Sequence, residues 1–126
     1  MAEKLHALVV LGIANSRMKD FFDLWYLGRA VAFDGRILTR AIGGTFARRA
    51  TPIQHETPIA LTAEFWNHAG KQQQWAAFRR ANVRIVVPED LGEIIQFIDG
   101  WLLVPLRAAR DGIELPLHWA PGGPWR

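Results

Sequence analysis

From Ala2 to Ala14 the apolar residues Leu5, Leu8, Val9 and Leu11 recur at helical spacing, and the segment is apolar nearly all round. That pattern predicts a buried helix. Asn15 and Ser16 then offer side-chain oxygens suited to capping a second helix over about 17–33. Its core stripe is Met18, Phe21, Phe22, Trp25 and Ala32. Asp34 and Gly35 close it and open a third helix over 36–49, with Leu38, Ala41, Ile42, Thr45 and Phe46 inward and Arg36 and Arg40 one turn apart outside. Residues 50–56, around Pro52, have no periodicity and read as a loop. Thr57 and Pro58 form a cap followed by a first-turn proline, starting a fourth helix that runs to about His68. Gly70 breaks it, and a fifth follows over 71–81 with Trp75 and Phe78 three apart. Val83 to Val87 is a β-branched run without a visible strand partner, hence an extended connector. Pro88, Glu89 and Asp90 open a sixth helix striped by Leu91, Ile94, Ile95, Ile98 and Leu102. Beyond Pro105 the pattern decays into a Pro/Gly-rich tail with Trp119 and Trp125 as anchors. The class is all-α: about six helices in one compact domain over 1–110, then a tail over 111–126, with at most one stray strand.

Composition narrows the chemistry. Of 126 residues, 50% are apolar and 21% charged, which excludes a disordered tail. There is no cysteine, so disulfides, thiolate metal sites and a cysteine nucleophile are unavailable, as suits a reducing, cytoplasmic setting. The apolar stretch Leu5–Ala14 is interrupted by His6 and lacks a small-residue cleavage site, so it does not read as a secretory leader. It also falls well short of the ~20 residues that cross a bilayer. Net charge is +3, but between Arg17 and Arg49 seven basic residues face three acids. This local excess suits a polyanion, and equally a solvated helix face.

The densest chemistry lies in Arg17-Met-Lys-Asp-Phe-Phe-Asp23. On a helix Asp20 and Asp23 stand one turn apart and Lys19 one turn from Asp23. Two carboxylates and two cations at one helix end can hold a metal, orient a phosphate-binding lysine or act as a base. They also form the i,i+4 pair of an ordinary surface helix.

Glu3-Lys4-Leu5-His6-Ala7 followed by Ser16-Arg17-Met18-Lys19-Asp20-Phe21-Phe22-Asp23-Leu24 resembles the third and fourth motifs of the AbiEii/AbiGii toxin family of nucleotidyltransferases. Ala41-Ile42, Thr45-Phe46 with Arg49, and Trp75-Ala-Ala-Phe78 are similar to that family's helical C-terminal half, so the resemblance extends over about 2–110. It implies that Lys4 contacts a nucleoside triphosphate, that Arg17 and Lys19 add phosphate contacts, and that Asp20 and Asp23 are the catalytic motif acids. It further implies a toxin with Mg2+ and NTP in the intact enzyme, transfer of a nucleotide to an RNA such as tRNA or to a protein, a cognate antitoxin, and no membrane. One feature of the pattern is missing. No glycine turn followed by Asp-x-Asp occurs, so no metal pair is expected here and the chain reads as a C-terminal half, inert by itself. The rival reading is a non-catalytic helical module binding RNA or an acidic partner.

Other candidates are weaker. Gly43-Gly44-Thr45 looks like a nucleotide-binding turn but falls mid-helix with no paired aspartates after it. Arg49 and His55 have the spacing of a helical ribonuclease pair, yet Pro52 interrupts them. His6, His55, His68 and His118 are scattered without ligand spacing, and Gln72-Gln73-Gln74 reads as an exposed face. The enzymatic reading requires Lys4, Asp20 and Asp23 to converge from two helices onto one solvent-open cavity.

Overall fold

The computed structural model describes residues 1–126. The helices are α1 (Ala2–Leu11), α2 (Met18–Ala30), α3 (Gly35–Arg48), α4 (Ala63–Trp66), α5 (Ala69–Ala81) and α6 (Leu91–Asp111), with single 3-10 turns at Gly12–Ala14 and Ile59–Leu61. Two two-residue strands, β1 (Phe33–Asp34) and β2 (His118–Trp119), pair antiparallel. The molecule is mostly α, as its periodicity predicts.

The long helix α6 is the hub. Ile94, Ile95, Ile98 and Leu102 are fully buried, as the stripe requires, and α2 and α3 pack on them. α1 lies across α3. The approach of α2 to α6 is set by Gly28, where a Cβ would stand 2.7 Å from the rings of both Phe97 and Trp101. Asp34 caps α3 by accepting the N–H groups of Arg36 and Ile37, and Asp90 caps α6 by accepting that of Gly92.

Several boundaries differ from the pattern. α2 stops at Ala30, not Phe33, because Phe33 pairs with Trp119 across the small sheet and packs on the Trp101 ring. The expected helix from Thr57 to His68 is two short pieces: Thr62 is extended, its hydroxyl donates to the Ile59 carbonyl, and the break turns Leu61 and Phe65 both into the core. Gly70 does not break a helix but sits in the first turn of α5, its N–H bound by the Nδ1 of the capping His68. Val83–Val87 forms no strand, as expected of a connector, but it begins in turns and is not extended throughout, and the small sheet lies instead at Phe33–Asp34 and His118–Trp119.

The largest departure is at Pro105, which lies inside α6. Proline lacks the N–H that would bond the carbonyl four residues back and its ring pushes that carbonyl aside. That carbonyl belongs to Trp101, and the indole N–H of Trp125 donates to it at 2.8 Å. The helix continues to Asp111 and ends on Gly112 in the left-handed conformation. The tail thus supplies donors and acceptors to helix ends that lack their own. Gly28's carbonyl in α2 accepts from the Trp119 indole and the Gly122 N–H, and the Gly35 N–H opening α3 donates to the Leu117 carbonyl.

Candidate functional site

Lys4 leaves the first turns of α1 where that helix meets the start of α2. Asn15, fully buried at the turn between them, accepts the Arg17 N–H and fixes how α2 begins. The Lys4 Nζ lies 2.9 Å from Asp23 Oδ2 and 3.4 Å from Asp20 Oδ1. Lys19 reaches the same Asp23 oxygen at 2.9 Å. Two elements thus bring Lys4, Lys19, Asp20 and Asp23 into one ion-pair knot whose formal charge is zero.

The knot is not evenly shared. Partial burial raises the Asp23 carboxyl, but hydrogen bonds from Lys19 and Lys4 outweigh it and hold the group below its ordinary value. The bond to Asp23 raises the Lys4 ammonium against partial burial. Asp20 makes one long contact, to Lys4, and no other side-chain hydrogen bond. It is therefore the freer acid, while Asp23 is saturated by two cations. Lys4 is about one-third exposed and spends two of its three N–H donors on the acids.

Convergence holds, but the cavity does not. None of the five main hollows is lined by Lys4, Asp20 or Asp23; the two carboxylates are largely covered, and the Lys4 ammonium reaches solvent beside them. Arg17 stands apart, exposed and paired with no acid. The basic run from Arg17 to Arg49 forms no single face either: Arg29 covers the Trp25 ring, Arg36 and Arg40 share Glu114, and Arg49 bonds Glu3.

The knot does not fit a divalent cation. Its two carboxylates are engaged by ammonium groups, and nowhere do three His, Cys, Asp or Glu side chains stand close enough to share an ion. His6 bonds the Thr51 hydroxyl at 2.8 Å and sits edge-on to Phe46, a satisfied helix-face histidine. Arg49 is turned to Glu3 while His55 lies exposed in the following loop.

One residue escaped the sequence pattern altogether. Lys71 is 5% exposed; its ammonium donates to the Asn15 carbonyl at 2.8 Å and faces the Phe65 ring, with no acid in contact. Burial pushes its pKa down. By holding the Asn15 turn it braces the junction from which Arg17 and Asp20 project. Its only signal in the sequence is a lysine opening a glutamine-rich face. Gln74 of that face, expected to be exposed, has its carbonyl oxygen buried without a partner.

The family model described as nucleotidyl transferase AbiEii toxin, type IV toxin–antitoxin system, matches residues 1–96, which include Lys4 and the whole Arg17–Asp23 segment. The chain belongs to this family. No curated protein and no solved structure shows significant similarity to it.

Proposed function

We propose that the knot is the triphosphate-and-acid corner of a nucleotidyltransferase toxin, and that it acts together with a metal-holding segment not among these 126 residues. The observation that carries this reading is the Lys4 ammonium held between Asp20 and Asp23, inside the family-matched region; the shared hollow that the reading also requires is not formed by these residues alone, so the metal-holding segment has to complete it. Lys4 uses its remaining donor, with exposed Arg17 and Lys19, to contact the triphosphate of an incoming NTP. Asp20, the less engaged acid, accepts the proton of the attacking acceptor hydroxyl as that oxygen bonds to the α-phosphorus and pyrophosphate departs. Asp23 keeps Lys4 and Lys19 in place. Magnesium supplies charge neutralisation on the phosphates when bound, and its ligands come from elsewhere. The acceptor is an RNA end, tRNA among them, or a protein side chain; the setting is cytoplasmic, with an antitoxin as partner.

The test joins this chain in one polypeptide to a segment bearing a glycine turn and Asp-x-Asp and follows labelled nucleotide incorporation into RNA and protein. Asp20→Asn is expected to abolish incorporation, Lys4→Met to weaken NTP use, and Asp23→Asn to have the smaller effect. Wild-type incorporation by Asp20→Asn with a preserved fold refutes the assignment. A second reading rests on the neutrality of the knot: a non-catalytic module in which these pairs only join α1 to α2. It requires that the same variants lower stability and leave incorporation untouched.

A further inference from the structure

We infer that the groove between the first half of α3 and the end of α6 binds a phosphate group, at a site separate from the Lys4 knot. The groove is a hollow of about 390 Å³. Arg36 and Arg40, one helical turn apart, line it, and both are held by a single carboxylate: Glu114 Oε1 lies 3.2 Å from Arg40 and Oε2 3.8 Å from Arg36. One acid against two guanidiniums leaves a net positive charge. Glu114 is 65% exposed, on the tail just past α6, so it can leave. A carboxylate seated on paired guanidiniums occupies the geometry in which arginine also takes phosphate.

Two further observations point to a ligand. Thr39, 6% exposed, lines the same hollow, and its hydroxyl has no hydrogen-bond partner. Buried hydroxyls ordinarily have one, so this residue leaves a donor unsatisfied beside the two arginines. The floor contains Gly43 and Gly44, consecutive glycines in the middle of α3, and glycine is the poorest helix former after proline. Packing does not demand them. A Cβ on Gly43 would meet only the Ala109 methyl at 3.7 Å, and one on Gly44 only the Arg48 guanidinium at 3.4 Å. Their absent side chains keep the groove open where Arg36, Arg40 and Arg48 share one i,i+4 row with Gly44.

The site is independent of the proposed active corner. Glu3, beside Lys4, pairs with Arg49 at the far end of α3, about 20 Å along the helix axis from Arg36. Failure at one leaves the other standing. The phosphate belongs either to a small phosphorylated molecule or to a single RNA strand.

Amide shifts of the full chain are followed by NMR during titration with inorganic phosphate and, separately, with a six-nucleotide single-stranded RNA. Saturable shifts at Gly43, Gly44 and Gly112 are expected with at least one probe. Response to phosphate alone identifies a small-molecule site, and response to RNA alone a strand site. Arg40→Ala, at an exposed position, is expected to weaken binding about tenfold, one charge-assisted contact being lost. Thr39→Val weakens it several-fold. Glu114→Gln tightens it, because the internal competitor loses its charge, an effect that a merely structural ion pair would not produce. No saturable shift with either probe, no tightening in Glu114→Gln, or acetate binding as well as phosphate overturns the inference.

Discussion

The proline in α6 offers the sharpest test of how the tail is attached. Trp125→Phe removes one N–H while keeping an aromatic ring against Trp119, and it leaves the carbonyl of fully buried Trp101 without a partner. An orphaned buried acceptor costs about 1–3 kcal/mol. In a chain of this length each kcal/mol shifts Tm by about 3–6 °C, so Trp125→Phe is expected to lower Tm by about 4 °C or more. Phenylalanine is also smaller, so a loss of stability alone does not isolate the hydrogen bond. Pro105→Ala does, because alanine at that position returns the N–H that bonds the Trp101 carbonyl within the helix. In the Pro105→Ala background the carbonyl stays paired, and Trp125→Phe then costs only its packing loss. Urea unfolding of the four proteins in this cycle should give a coupling of about 1 kcal/mol. Equal costs in the two backgrounds would refute the claim that the tail's indole replaces the missing backbone donor.

Other consequences are equally concrete. Gly28→Ala is expected to destabilise by about 1–3 kcal/mol despite alanine's better helix propensity, because its Cβ would press on Phe97 and Trp101; thermal melting reads this directly. Asp34→Ala removes the α3 cap and should cost about 1 kcal/mol by urea titration. The Lys4 knot carries a pH signature. Asp23, held below 3.8, adds stability that is present above that pH and disappears as pH falls through its lowered folded value. Lys4, held above 10.5, adds stability that is present below that pH and is lost as pH rises through its raised folded value. Lys4→Met should therefore differ most from the parent between about pH 4 and 10, by no more than about 1 kcal/mol because the knot is partly exposed. Identical melting profiles across that range would show the pairs to be energetically idle. Lys71→Met exchanges a buried unpaired charge for an apolar chain while orphaning the Asn15 carbonyl; the gain in stability on raising pH toward 10.5 should vanish in it, as chemical denaturation at several pH values would show.

Local pattern was enough to determine the helical class, the stripe of α6, the start of α3 at Asp34, and the neighbourhood of Lys19 with Asp23, although it opens α6 at Pro88 where the helix starts at Leu91 behind the capping Asp90. Each depends on residues within a few positions of one another, and helical geometry alone relates them. Lys4 and the acids of α2 are 16 or more positions apart, and that they meet was legible only through the motif order shared with the family. Tertiary structure decided the rest, for one reason: buried polar groups must find partners wherever the fold brings them. Trp125 meets the carbonyl freed by Pro105 across 24 positions, so a helix that periodicity ended at a proline runs on to Asp111. Lys71 finds the Asn15 carbonyl 56 positions away, and Glu114 closes on Arg40 across 74. No spacing rule encodes such pairings, because they follow from which helix faces the core leaves adjacent.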